Sequence, residues 1–229
     1  MASPTNSLNK PPEPAPASGP ATRPCKVSVV VATIDRPALL REALASIRAV
    51  ERDGVAIEIL VGDTGALPET KAVAEAFGAI YRKVDKPGCA AGRNAVMRLA
   101  TGDYIAFLDD DDLWTDDHVH GHLALFEAQP ELGAVIGQVL MTDAQRQPFY
   151  EPWPRDLPTG RRALLAPMLS GYFPQVGATI VRADVVRAVG EMDERLTGGT
   201  DWDWQLKIAK RYDIGFVART CVLFQQRPT

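Results

Sequence analysis

Tyr104-Ile105-Ala106-Phe107-Leu108-Asp109-Asp110-Asp111-Asp112 is a hydrophobic run that ends abruptly in four consecutive carboxylates. Its apolar part is short and carries aromatic and β-branched residues, the pattern of a buried strand. Four adjacent aspartates are poor in helix or strand interiors, and they repel one another. A divalent cation with oxygen ligands resolves that repulsion. A solvated acidic turn ahead of the next helix is the other reading. The switch falls at the carboxyl end of a buried strand, where open α/β sheets bind ligands, and that position favours the ligand.

Upstream, Val27-Ser28-Val29-Val30-Val31-Ala32 predicts a first central strand. The loop Thr33-Ile34-Asp35-Arg36-Pro37 follows, with proline at a helix start. Leu39, Leu40, Ala43, Leu44 and Ile47 recur at helical spacing and predict a helix to about Val50. A second strand over 57–62 runs into Asp63-Thr64-Gly65. A helix over 68–77 and a short strand over 79–83 come next. Pro87-Gly88-Cys89-Ala90-Ala91-Gly92 leads into a helix carrying Arg93, Asn94, Val96, Met97 and Leu99, stopped by Gly102. The order β-α-β-α-β-α-β with short loops implies an α/β fold: a Rossmann-like, mostly parallel sheet with helices on both faces. The ends at 33–35, 63–65 and 109–112 then gather on one edge, where a nucleotide-sized ligand sits.

Downstream, helices are expected over 116–129, 162–169, 184–189 and 201–212, and strands over 134–141, 176–181, 214–218 and 221–224. The stretch 143–162 holds Pro148, Pro152, Pro154 and Pro158, with Pro167 just beyond, and reads as a long loop. Residues 1–24 are rich in Pro, Ala and Ser and are expected to form a disordered tail, leaving 25–229 as the folded domain.

Of the 229 residues, 46% are hydrophobic and 24% charged, ordinary for a soluble globular protein. A net charge of −4 without a long basic run argues against nucleic acid or an anionic membrane surface as partner. No apolar run reaches the length of a membrane span, and the N-terminus lacks a signal-peptide pattern, so a cytoplasmic protein is expected. Cys25, Cys89 and Cys221 are too scattered for a disulfide framework or zinc motif. His118 and His122 stand one helical turn apart, a zinc spacing, but no third ligand accompanies them at short range. A solvated helix face is therefore expected there.

Five segments in one order resemble the family-2 glycosyltransferases of the GT-A fold. They are Val27 to Pro37, Glu58 to Gly65, Gly88 to Asn94, the acidic run as an Asp-x-Asp motif, and Gly190 to Glu194 followed by Thr200-Asp201-Trp202. The likeness spans about residues 26–215. Departures are Ile34 where an aromatic is common, Gly62 for a first aspartate, Thr200 for an acid, and no histidine after Asp201.

The resemblance implies inverting transfer of a sugar from a nucleoside diphosphate donor to an acceptor hydroxyl or amine. It implies a nucleotide-binding half at about 25–112 and an acceptor-binding half at 113–229. Mg²⁺ or Mn²⁺ falls to Asp111 and Asp109, and the donor to Ala32, Thr33, Asp35, Arg36, Asp63, Arg93, Asp109 and Asp110. Asp63 suits the ring N–H of uracil, which favours a UDP-sugar; the alternative for Asp63 is a turn carboxylate. Arg93 opens a helix after a Gly-rich loop and suits a phosphate or, alternatively, a salt bridge to a nearby aspartate. Asp201 is the expected general base, while Thr200 with Asp203 suits a capping box and Asp203 with Lys207 an ion pair. Asp112 is assigned to starting the following helix, and Trp204 to packing beside Ile208 and Tyr212. The acceptor is open among a polysaccharide, a lipid carrier and a small molecule. A sugar-phosphate nucleotidyltransferase and a non-catalytic nucleotide-sugar binding module stand as alternatives.

Overall fold

The computed structural model describes residues 24–226 apart from Asp53, Thr159 and Arg161, so the expected tail lies outside the described residues save for Pro24. The strands are β1 (Cys25–Thr33), β2 (Val55–Asp63), β3 (Ile80–Lys83), β4 (Tyr104–Asp109), β5 (Leu113–Trp114), β6 (Leu132–Thr142), β7 (Thr179–Arg182) and β8 (Asp213–Gln225). The helices are α1 (Pro37–Ala49), α2 (Glu69–Ala76), α3 (Cys89–Met97), α4 (His118–Ala128), α5 (Leu165–Leu169), α6 (Ala183–Val189) and α7 (Thr200–Ala209). All eight strands join one sheet in the order β3-β2-β1-β4-β7-β6-β8-β5.

The β3-β2-β1-β4 part is wholly parallel, as the alternating pattern requires. Alternation along β1 sends Val27, Val29 and Val31 to one face, against Leu40, Leu44 and Ile47 of α1. Val30 faces the other side with Leu60, Phe107, Val96 and Trp204. Both faces are thus covered, and β1 is apolar almost throughout because both of its sides are buried. Trp204 is fully buried, meets Phe107 edge-on at 5.3 Å and donates from Nε1 to Gly190 O at 2.8 Å, so it packs as expected.

The register places Ala32 beside both Gly62 and Asp109, and Thr33 beside Asp63. The three strand ends therefore share one edge. Helix α3 is pressed flush onto this edge. A Cβ built on Gly62 would stand 2.7 Å from the Gly92 carbonyl carbon and 3.1 Å from its Cα. Glycine at 62, where an aspartate is common, is what lets α3 approach.

The second part departs from simple alternation. β7 runs antiparallel between β4 and β6. The strand expected over 176–181 opens instead as a 3-10 turn at Val176–Ala178, because the Gln175 side chain accepts hydrogen bonds from the Gly177 and Ala178 N–H groups. β8 is one strand where two were expected; it runs parallel to β6, and register shifts around Gly137 and Gln138 absorb the irregularity. β5, unforeseen, is two residues pairing with β8. The proline-rich segment folds back along β6: Val139 and Trp153 exchange backbone hydrogen bonds at 2.8 and 2.9 Å.

Candidate active site

The four aspartates leave β4 in one tight loop but enter four different environments. Asp109 pairs with Arg93, which lies buried under it. Asp110 turns inward, accepting from Thr33 Oγ1 at 2.7 Å and Arg36 at 3.0 Å. Burial raises its carboxyl above the ordinary range, although Thr33 and Arg36 act against this. Asp111 faces Arg36 at 3.6 Å. Asp112 is fully buried and accepts from the Gln225 N–H at 2.9 Å and Gln175 Nε2 at 2.8 Å. Burial, reinforced by Asp109, pushes the Asp112 carboxyl well above the usual carboxylate range. It does not start α4 as expected: Asp117 occupies the cap position. Its oxygens are taken by Gln225 and Gln175, and it ties β8 to the acidic run instead.

Side-chain exposure ranks Asp109 at 29% and Asp111 at 18%, against 5% for Asp110. The two expected metal carboxylates are thus more open than Asp110 or the buried Asp112. Both line a cavity with Ala32, Thr33, Arg36 and Arg93. Two further expected residues are engaged elsewhere. Asp63 is fully buried, accepting from the Gly65 N–H and from Tyr81 Oη, each at 2.7 Å. Asp35 has φ +52° and accepts at Oδ1 from the Ala66 and Leu67 N–H groups, at 2.5 and 2.8 Å. It braces the β1 loop against the β2 loop, and those hydrogen bonds hold its carboxyl below the ordinary range.

A second cavity adjoins the first. Gly88, Cys89 and Arg93 line both, and Asp201 lines only the second. Burial would lower the Arg93 guanidinium, but Asp109, with Cys89 and Asp201 adding to it, keeps it firmly charged. The carboxylates of Asp109 and Asp201 therefore act on one buried cation from two cavities. Asp201 sits in the first turn of α7 and accepts from the Trp202 N–H at 3.0 Å. The expected capping box is not formed. Gly199 caps α7 at φ +64°, Thr200 is already helical, and Asp203 pairs with Lys207 at 2.6 Å.

Two contributors were not anticipated. Gln175, besides holding Asp112, reaches Asp109 Oδ2 at 3.5 Å. Arg146 donates to the Asp111 carbonyl at 2.7 Å and to Glu42 at 3.0 Å, clamping the acidic loop from outside. Their sequence neighbours carry no motif; only the long-range fold brings them here. The histidines correct an expectation outright. His118 and His122 are fully buried, because β8 and the turn at 176–178 cover the α4 face that was taken as solvated.

A parallel sheet edge, an acidic loop at the end of β4 and helices on both faces make a fold of GT-A type, and solved structures agree on the fold. S. aureus TarS 1–349 superposes with a TM-score of 0.71 at 16% identity, covering 87% of this chain and 60% of that one. Its complex with UDP-GlcNAc gives 0.70 at 17%, covering 89% and 59%. Glucosyl-3-phosphoglycerate synthase from Mycobacterium tuberculosis, in complex with Mn²⁺, UDP and glucosyl-3-phosphoglycerate, gives 0.64 at 18%, covering 89% and 73%.

The chain belongs to glycosyl transferase family 2, whose sequence model matches residues 28–189. The uncharacterized glycosyltransferase YwdF of Bacillus subtilis is 26% identical over 208 residues, 87% of this chain and 74% of that protein. The pre-mycofactocin glycosyltransferase of Mycobacterium tuberculosis is 28% identical over 204 residues, 84% of this chain but 41% of that protein. Membership sets aside nucleotidyl transfer and a purely binding role. Among the described residues no helix is long and apolar enough to cross a membrane.

Proposed function

We propose that this enzyme is an inverting transferase moving a sugar from a nucleoside diphosphate donor, a UDP-sugar by preference, to an acceptor hydroxyl or amine. One observation carries the reading: two adjoining cavities share Gly88, Cys89 and Arg93, with the acidic loop in one and Asp201 in the other. A leaving group and an attacking group need such opposed compartments. The first half, at about 25–112, takes the donor; the second, 113–229, presents the acceptor. A cytoplasmic setting belongs to the same proposal, and the three free cysteines are compatible with it.

The residues fit Mg²⁺ or Mn²⁺. Asp109 and Asp111 offer oxygen donors at the cavity wall, the hard set these ions prefer. Once bound, the ion stabilises negative charge on the departing diphosphate. The Arg93 guanidinium and the backbone N–H groups of the first turn of α3 add positive potential where the phosphates lie. Ala32, Thr33 and Arg36 shape the donor cavity, and Thr33 and Arg36 hold Asp110 in place. Asp35 and Asp63 set the loops around the base; both Asp63 oxygens already accept hydrogen bonds, from the Gly65 N–H and from Tyr81 Oη. As the acceptor oxygen bonds to the anomeric carbon, its proton passes to Asp201, and the electron pair of the breaking C–O bond leaves with the diphosphate. Attack opposite the leaving group inverts the configuration.

Thermal-shift titration with nucleoside diphosphates, with and without Mn²⁺, identifies base and metal. Asp111→Ala and Asp201→Asn are both expected to abolish transfer, and only Asp111→Ala to weaken metal-dependent nucleotide binding strongly. Normal turnover by Asp201→Asn would remove Asp201 as base.

A further inference from the structure

We infer that His118, His122 and Cys221 form a second, buried cation site of the zinc class, separate from the acidic loop. All three side chains are fully buried, and one ligand atom from each lies within 4.8 Å of the others. Helix α4 supplies the histidines one turn apart, and β8 supplies the cysteine within its irregular stretch between Val217 and Val222, opposite Gly137 to Val139 of β6. In tetrahedral zinc sites, bond lengths of about 2.0–2.3 Å place ligand atoms roughly 3.3–3.8 Å apart. The ligand atoms therefore close by about 1 Å on binding, through rotation about χ1 and χ2 of the three side chains.

The hydrogen bonding of the cluster asks for such a ligand. Neither ring nitrogen of His118 has a hydrogen-bond partner, though both are buried. A buried polar atom without a partner is costly, so an interior seldom retains one without a use. His122 shows the complementary mismatch. Its Nδ1 stands 2.6 Å from the His118 carbonyl oxygen and its Nε2 3.0 Å from that of Ala178. A neutral imidazole has one N–H, so one of these contacts opposes two lone pairs. A half-turn of the ring moves Nε2 to where Cε1 stands, on the side of Cys221. That side is open because residue 137 is glycine: a Cβ there would collide with Cys221 Sγ and come within 3.1 Å of His122 Cε1.

Two imidazoles and a thiolate form a borderline-to-soft set that selects zinc over magnesium or manganese. Binding displaces the Cys221 thiol proton to solvent and leaves an S–Zn bond. The site lies behind the acidic loop. Ala178, whose carbonyl faces His122, donates its N–H to Gln175 Oε1 at 3.2 Å, and Gln175 holds Asp112. The Cys221 carbonyl accepts from the Thr115 N–H at 3.0 Å. A cation here braces the floor under the catalytic carboxylates without touching substrate.

The test is elemental analysis of untagged protein produced with zinc and dialysed free of loose metal, together with cobalt substitution. Close to one zinc per chain is expected, retained in Asp111→Ala and at least tenfold lower in Cys221→Ser. Cobalt is expected to give a thiolate-to-metal charge-transfer band in the near ultraviolet. Less than about a tenth of a zinc per chain in the parent protein, with no cobalt band, overturns the site. Full zinc occupancy in a His118→Ala, Cys221→Ser double variant overturns it equally. The parent-protein measurement decides the matter even where a variant fails to fold.

Discussion

Replacing Gly62 by alanine adds a single methyl group at the point where β2 and α3 touch. Its Cβ would stand 2.7 Å from the Gly92 carbonyl carbon and 3.1 Å from the Gly92 Cα. Carbon pairs prefer about 3.5–4.0 Å, so strand and helix must part by about 1 Å. Both surfaces are backbone, and no rotamer relieves the contact. Overpacking of this kind costs about 1–3 kcal/mol, and the rigid neighbour argues for the upper end. Loss of unfolded-state freedom on Gly→Ala returns about 0.4–1 kcal/mol. The net loss is about 2 kcal/mol, or about 4–8 °C in Tm for a domain of this size. Gly92→Ala is the control. There the nearest atoms are Gly62 O at 3.2 Å and Ala32 Cβ at 3.3 Å, a mild contact. It is offset by about 1 kcal/mol of helix propensity, so its Tm should stay within about 2 °C of the parent. Thermal melts followed by circular dichroism compare the two. A Gly62→Ala melt matching the parent, or a larger loss in Gly92→Ala, would refute the flush docking of α3. Because α3 carries Cys89 and Arg93 at the site, Gly62→Ala should also weaken nucleotide binding in the same thermal-shift assay.

Gln175→Leu removes a donor from buried Asp112 and the acceptor for the Gly177 and Ala178 N–H groups. A destabilisation of about 2–4 kcal/mol is expected in urea unfolding, since each lost or orphaned partner costs about 1 kcal/mol or more. Nucleotide affinity should fall as well, and an unchanged midpoint would show that Gln175 is dispensable. Glu58 governs an acid limb at the opposite end of the sheet. Burial would raise its carboxyl, but hydrogen bonds from Lys26, Ser28 and Thr101 outweigh it and bring the pKa from the usual 4.5 to about 2. The folded value is depressed, so the stabilisation is present above 4.5 and lost as pH falls toward 2. Glu58→Gln should flatten that limb of a stability–pH curve while leaving neutral-pH turnover in place. Trp204→Ala empties a fully buried site and breaks the bond to Gly190, for an expected loss of about 3–5 kcal/mol by denaturant titration.

Much of the architecture is legible from local pattern. A strand buried on both faces must be apolar along its length, so β1, β2 and β4 stand out in the sequence, and right-handed crossovers between them dictate parallel neighbours. Once the strands are parallel, their carboxyl ends share an edge, and Thr33, Arg36, Arg93, Asp109, Asp110 and Asp111 meet there. The acidic run announces this edge because four carboxylates in a row need partners. Which carboxylate takes which partner is not a local property. Asp110 turns to Thr33 and Arg36, while Asp112 is consumed by Gln175 and Gln225, residues more than sixty positions away.

The sequence by itself determined the fold class, the family and the gathering of three strand ends on one edge of the sheet, because hydrophobic period and turn residues act over a few positions. Only the tertiary structure decided what the second half does. The 3-10 turn at 176–178, the unbroken β8, the engagement of Asp63 by Tyr81 and the burial of His118 and His122 each depend on a contact between distant segments. A polar side chain looks the same in sequence whether water or another strand will cover it. The energy that separates the two cases resides in the covering element, and that element is placed only when the whole sheet closes.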